Sequence, residues 1–492
     1  MMGEKISAHL QSGVENMEDI RRPSAAKHSL KESRQHWFDT YRILSQLETD
    51  HLLLESGRGG KYSIIGLRPF AKLRGKNGRL AAEENGKTTV YEGPLLESIR
   101  SWLNHYKAEK DASLPDFQGG IAGQFSYDLV REFEKLPEHA SDDLLTEDVF
   151  LLAFDELYVI DHEKDIRWDI IIDTDTAGAE RKLEKMNKQW MEAEHQELPA
   201  LEGEAAGGET PLRSLSEEAF TEAVAKTKDY IAGGDVFQVN LSVRESRPLR
   251  TSPMHIYSCL RKINPSPYMS YMHTPELQYI GASPELLVKV AGEEVSTRPI
   301  AGTRSRGKTD AEDRELAETL LNNEKERAEH IMLVDLERND LGRVCAYGTV
   351  EVDELMVIEK YSHVQHIVSN VKGKKAPGCD TLDVIAAAFP GGTITGAPKI
   401  RTMEIIEELE PVRRGAYTGS MGWIGFNGDM ELNITIRTMI ARHGTAHVQA
   451  GAGIVIDSEP RAEYRECLKK ARALWKAKEQ SEEETEQRRM LK

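Results

Sequence analysis

Four carboxylates in two matched pairs are the residues of this chain best spaced to do chemistry. Glu326 and Glu329 stand three apart in EKERAEH, and Glu463 and Glu466 stand three apart in EPRAEYRE, with Lys470 one turn further on. On helices, residues at this spacing share a face. Two such helices facing each other would present four carboxylates to one hard divalent cation, and magnesium accepts such ligands while keeping room for water and substrate oxygens. A solvated charged helix shows the same spacing, so the pairs alone do not separate a metal site from a wet surface. Arg437 is a cation in the otherwise apolar pattern NITIRT; buried, it needs an acid or an anionic ligand. His363 and His366 in YSHVQHIVSNV would point to opposite faces of a strand, so at most one serves a site.

A competing motif has to be weighed. Gly302–Thr309 read GTRSRGKT, which satisfies the phosphate-loop pattern G-x-x-x-x-G-K-[ST], and IMLVD ends in Asp335 where a magnesium-holding strand would. A nucleotide hydrolase is nevertheless disfavoured. A phosphate loop offers backbone N–H groups at a helix N-terminus, but here Asp310, Glu312 and Asp313 would put three carboxylates in that first turn. Arg304 and Arg306 are bulky for a tight wrap, and IMLVD belongs to the charged helical run LNNEKERAEHIMLVDL. Two glycine segments offer better chemistry. FPGGTITGAPK (389–399) sets Gly391, Gly392 and Gly396 among hydroxyls and Lys399, and QAGAGIVID (449–457) offers the amides of Gly451 and Gly453 to a carboxylate.

These groups need elements to position them. Residues 1–25 are polar and expected to be loosely ordered; 26–194 alternate short apolar strands with turns; 195–215, rich in Glu, Gly, Ala and Pro, read as a linker. Ser214 and Glu217 suggest a capping box for the helix that follows. The stretch 216–474 holds nearly all the unusual chemistry, with ELNITIRTMIA and TAHVQAGAGIVID as strands, and 475–492 reads as a charged, fraying helix end. The chain has 492 residues and a formal net charge of -18, which argues against nucleic acid or an anionic membrane surface as partner. The 4 cysteines, far apart, suggest neither a zinc cluster nor a disulfide framework. No apolar run approaches the roughly 20 residues of a membrane span, and the N-terminal residues lack the apolar core of a signal peptide. The expectation is a cytoplasmic protein.

PIAGTRSRG, ERAEHIMLVDLERNDLGRV, YSHVQHIVSNV, FPGGTITGAPKIRTMEIIEELEP and QAGAGIVIDSEPRAEYRE, with LLLESGRGGKYSIIGL nearer the start, resemble the chorismate-utilising enzymes. More narrowly they are similar to the large synthase subunits of anthranilate synthase and aminodeoxychorismate synthase. The resemblance spans nearly the whole chain, and several long motifs in order outweigh one short phosphate-loop pattern. It implies an α+β fold with two large antiparallel sheets packed face to face and helices outside. It implies that Glu329 and Glu466 bind Mg2+, with Glu326 and Glu463 in the same acidic cluster, and that the metal holds the ring carboxylate of chorismate. Arg437, Tyr417, Lys470 and the amides of Gly451 and Gly453 would hold the enolpyruvyl side. His366 and Thr393 would sit near the departing C4 hydroxyl, with His366 as its proton donor.

The resemblance also bears on the nucleophile. Isochorismate and salicylate synthases carry a water-activating Lys where this chain has Gln238, so the nucleophile implied is ammonia from a separate glutamine amidotransferase subunit. Aminodeoxychorismate synthases often carry, at the position of Ala301, a Lys that attacks C2; anthranilate synthases have Ala. Asn240, Gly391 and Asn433 instead resemble the aminodeoxychorismate group. Three positions against one favour 4-amination toward 4-aminobenzoate and folate, with ammonia or water replacing the Lys, over the alternative, 2-amination to anthranilate. A non-catalytic acidic scaffold is disfavoured because the acids, the Arg and the glycine segments are all intact. Finally, Leu54, Glu55 and Ser56 in LLLES and Pro265, Tyr268 and Met269 in NPSPYM resemble the tryptophan-binding segments of anthranilate synthases. Here core packing or a vestigial site ranks ahead of regulation.

Overall fold

The computed structural model describes residues 20–490 except 32, 34–35, 58–59, 199–202, 204–209 and 361–363, so His363 lies outside the described residues. The strand Val149–Phe154, VFLLAF, shows why the chain builds layers. Side chains alternate along a strand. Phe150, Leu152 and Phe154 enter a seam with Leu52, Val159, Ile170 and Met272, while Val149, Leu151 and Ala153 pack outward against Leu95, Ile99 and Trp102 of the helix Leu95–Leu103. The seam lies between two sheets, each with 12 described strands, and every strand pairing within them is antiparallel. This is the expected α+β sandwich with helices outside.

Seven strands and four helices frame the site. In chain order they are β1 (Gln238–Pro248), α1 (Pro253–Ile263), β2 (Leu277–Ser283), β3 (Ile300–Ser305), α2 (Glu324–Gly342), β4 (Val364–Lys374), α3 (Lys399–Leu409), β5 (Met430–Ile434), β6 (Thr438–Arg442), β7 (Thr445–Ile454) and α4 (Pro460–Met490). β1, β2, β6 and β7 belong to the first sheet and β3, β4 and β5 to the second. α1 and α4 cover the first sheet, where Ile256, Tyr257, Leu260, Leu474 and Trp475 join one core with Leu53 and Tyr271.

The stretches before and after the expected linker are separate in sequence but not in space. His51–Glu55 pairs with Tyr268–His273 in the first sheet, and Gly120–Phe125 pairs with Ser420–Gly425 in the second. Leu212–Arg213, inside the expected linker, is itself a short strand on β1.

Other expectations are corrected. Within the stretch expected to be loose, Arg22 already begins a strand, Arg22–Ser29, because it pairs along its length with Ile166–Asp173. Ser216, not Ser214, caps the helix Glu217–Gly233, accepting from the Ala219 amide, while Ser214 Oγ accepts from the Arg244 amide. The charged tail does not fray: α4 runs to Met490 and buries Leu474, Lys478, Ser481 and Thr485 along one stripe. That stripe, built from hydroxyls and a Lys stem, is not visible as apolar periodicity. ELNITIRTMIA is two strands, β5 and β6, in different sheets, so Arg437 sits in a crossover rather than inside a strand. The phosphate-loop pattern is a strand end and a turn whose amides are taken: Gly307 N–H donates to Asp313 and Lys308 N–H to Glu312.

Candidate active site

Where the chain crosses from β5 to β6, a cavity of about 220 Å³ opens between the sheets and α4. Arg437 lines it from a left-handed backbone conformation, φ 50°. Such a conformation costs a non-glycine residue on the order of 1–3 kcal/mol and persists where its surroundings enforce it. Here the Arg437 carbonyl accepts from the Ala282 amide and the Thr435 carbonyl from the Thr418 amide, which fixes the crossover.

β7 forms one wall. Gly451 lies opposite Ser242, and Gly453 opposite Asn240, on β1. A Cβ at Gly451 would lie 2.3 Å from Asn240 Oδ1 and 2.7 Å from the Tyr417 hydroxyl; one at Gly453 would lie 2.3 Å from Gln238 Nε2. A Cβ at Gly451 would also lie 2.8 Å from the Leu241 carbonyl, so close approach requires glycine there, and Gly451 alone of the two lines the cavity. Lys470 of α4 lines it too, its ammonium donating to the Gly451 carbonyl at 3.0 Å. Ala301, Thr393 and Tyr417 are also in the wall.

His366, on β4, is buried. Its Nδ1 lies 3.0 Å from the Gly302 carbonyl and 3.1 Å from Thr303 Oγ1. A carbonyl only accepts, so Nδ1 carries the proton and the neutral ring keeps its lone pair on Nε2. Burial lowers the imidazole below its usual range, with the Gly302 carbonyl partly offsetting it.

Glu285 was not singled out from the sequence and also lines the cavity. It is fully enclosed at the cavity wall, and burial pushes its carboxyl up to about 7, against the offsetting influence of the Thr393 hydroxyl. Its signal was present: an acid between apolar residues in GASPELL, the same sign that marked Arg437. Asn240 Oδ1, Gln449 Oε1 and Glu285 Oε1 are buried at the cavity without a hydrogen-bond partner among the described residues. Thr393 Oγ1 in the same wall is also without one; buried polar atoms are nearly always paired, so these atoms can take a water or a polar ligand. Below them Arg414, 1% exposed, donates to Glu410, to the Ile394 carbonyl at 2.9 Å and to the Asn240 carbonyl at 2.7 Å.

The acids divide. Glu329 of α2 lines the cavity and accepts from Gln238 Nε2 at 3.3 Å. Burial raises its carboxyl above the usual range; the Gln238 amide offsets this and the Glu326 charge adds to it. Glu326 is behind the wall, paired with Arg304 at 3.1 Å. Glu463 and Glu466 on α4 are half-exposed and do not line the cavity. The four acids are not drawn together as a ligand cluster, for among the described residues the trio gathered within 4.8 Å is a different one. The donor set still suits a hard cation: all oxygen, with Glu329 desolvated and repelled by a second acid.

A second cavity of about 240 Å³ lies between the sheets, lined by Leu54, Glu55, Ser56, Tyr268 and Met269, with Pro267 rather than Pro265. Its acids are engaged: Glu55 with Arg261 at 2.9 Å, and Glu431 and Asp116 with Lys289 at 3.0 and 3.4 Å. Among the described residues no helix is long and apolar enough to cross a membrane.

Comparison with known proteins places this geometry in context. The sequence model of the chorismate binding enzymes matches residues 49–476. Aminodeoxychorismate synthase component 1 of Bacillus subtilis is 51% identical over 94% of this chain and 99% of its own length. Anthranilate synthase component 1 of Thermus thermophilus is 46% identical over 90% of this chain and 95% of its own. Among solved structures, anthranilate synthase component I of Streptococcus pneumoniae superposes with a TM-score of 0.74 at 34% identity, covering 85% of this chain and 93% of that one. The menaquinone-specific isochorismate synthase of Escherichia coli, at 17% identity and a TM-score of 0.69, shares the fold.

Proposed function

Because the chain belongs to the family of chorismate binding enzymes, we propose that it aminates chorismate at C4, giving 4-amino-4-deoxychorismate for 4-aminobenzoate and folate synthesis. The observation that carries this reading is the 51% identity to an aminodeoxychorismate synthase component over nearly the full length of both chains. Asn240 supports it: of the three positions that resemble that group, it is the one at the cavity, with its amide oxygen turned to receive a ligand. Gly391 instead faces Ile434 and Leu287, and Asn433 lines the second cavity.

Arg437 and Lys470 offer cations to the enolpyruvyl carboxylate, with Gly451 leaving room for it. Glu285, protonated, gives its proton to the C4 hydroxyl as the C–O bond breaks. His366 would take a proton from the incoming amine, and Thr393 stands with Glu285 in the same wall. Glu329 at the cavity, with Glu466 and Glu463 of α4 from outside its wall, would hold Mg2+, which would supply charge neutralisation at the ring carboxylate. Ala301 leaves no amine at C2, so ammonia or water adds at C2 as the C4 C–O bond breaks and water departs; ammonia supplied by a glutamine amidotransferase partner then bonds to C4 as the C2 group leaves.

Ala301 lines the cavity and favours the second reading, anthranilate synthesis. One experiment separates the two: purified chain, chorismate, magnesium and an ammonium salt, with products resolved by mass. The expected product keeps its enolpyruvyl group and yields 4-aminobenzoate with the downstream lyase. Anthranilate with free pyruvate would overturn the proposal in favour of the second reading. Ala301→Lys is expected to retain 4-amination; its complete loss would mean that the cavity is not shaped for that chemistry.

A further inference from the structure

Helix α1 and the far end of α4 bring together three side chains that line neither cavity: His255, Cys259 and Glu484. One ligand atom from each lies within 4.8 Å of the others. His255 and Cys259 are four apart on α1 and so share a face. They are 5% and 1% exposed, whereas the Glu484 side chain is 34% exposed, which leaves solvent a way in. His255 Nε2 is 2.9 Å from Glu484 Oε2, and on the other side of the ring Nδ1 is 3.5 Å from Thr485 Oγ1. Thr485 spends its own hydrogen on the Ser481 carbonyl at 2.8 Å, so it can only accept from the ring. The ring thus has an acceptor at each nitrogen, and a neutral imidazole has one N–H to give. A second ring proton, which burial disfavours, or a metal ion at Nε2 resolves this, and the metal leaves Nδ1–H to Thr485 in the way metal-bound histidines are oriented by an outer partner.

We propose that His255 Nε2, Cys259 Sγ and a Glu484 carboxylate oxygen bind one zinc-class divalent ion, with water as fourth ligand. Nitrogen, sulfur and oxygen donors in a four-coordinate set suit zinc, and the thiolate disfavours magnesium and calcium. Binding releases the thiol proton to solvent. The ion staples the end of α4 to α1, beyond residue 476, where the family match ends.

The test is a cobalt titration of the full chain, stripped of metal by chelator and kept in magnesium to fill carboxylate sites. One equivalent of cobalt should give a near-ultraviolet sulfur-to-cobalt band, which zinc then abolishes. Cys259→Ser should lose the band, and Glu484→Gln, a change at a part-exposed side chain, should weaken binding by at least about tenfold. Absence of the band in folded wild-type protein would mean that the trio is only hydrogen-bonded and would overturn the proposal. So would a band that survives Cys259→Ser, or an unchanged affinity in Glu484→Gln. If Cys259→Ser does not fold, the wild-type and Glu484→Gln titrations decide.

Discussion

Glu285 carries the sharpest consequence of the site at the scale of one residue. Its ordinary carboxyl value is 4.5 and burial pushes it up to about 7. A raised carboxyl favours folding while both states are protonated and loses that advantage as pH rises through the folded value. The stability it contributes is therefore full below about 4.5 and gone above about 7, a change on the order of 3 kcal/mol. Glu285→Gln removes the ionisation. It should lower kcat by at least about a hundredfold, yet raise Tm relative to wild type at pH 8, with the gain shrinking toward pH 5. Thermal melts across that range, beside kcat at constant free ammonia, check both. A variant less stable than wild type at pH 8 would remove the buried-acid argument. The wild-type rate should likewise fall as pH rises through about 7 on the limb that reports the acid.

At the scale of elements, the crossover from β5 to β6 and the turn before α3 depend on Arg414. It ties Glu410, at the end of α3, to the carbonyls of Ile394 and Asn240, and so holds two walls of the cavity together. Arg414→Met leaves Glu410 buried and these carbonyls unserved. It should cost about 3–5 kcal/mol and lower kcat/KM even at temperatures where the variant is folded; urea unfolding and initial rates measure the two. Legibility followed the same line. Single helices and strands were readable, as with the helix in KIRTMEIIEELEP and the strand in TAHVQAGAGIVID, because a periodic apolar pattern is local. The split of ELNITIRTMIA was not, since it depends on which sheet each half joins. The packing of the α4 tail was missed for a related reason: its contact stripe uses Ser481 and Thr485, which carry no hydrophobic signal.

For the molecule as a whole, most of the cavity wall was legible: Ala301, Glu329, His366, Thr393, Tyr417, Arg437, Gly451 and Lys470 do come together. Glu285, Asn240 and Gln449 fill the gaps between them; Asn240 was noted in the sequence, whereas the parts of Glu285 and Gln449 emerge from burial at the cavity. The second cavity is also preserved as a space, but Glu55, Asp116 and Glu431 are already paired. An amino-acid ligand would have to share an acid that already holds a cation to place its ammonium. Tryptophan should therefore change neither Tm nor activity; a rise in Tm with concentration would show that the space is still a binding site.

The sharing of both sheets by the chain before 195 and the chain after 215 has a practical meaning for anyone who cuts the protein. His51–Glu55 hydrogen-bonds along Tyr268–His273, and Gly120–Phe125 along Ser420–Gly425, so neither fragment owns a complete layer. Made separately, each would expose open strand edges and aggregate. Made together, the two should find each other and rebuild an active enzyme from two pieces, and a single nick beside the exposed Thr210 should leave one particle on gel filtration. The covalent link between the halves is dispensable; their interleaving is not.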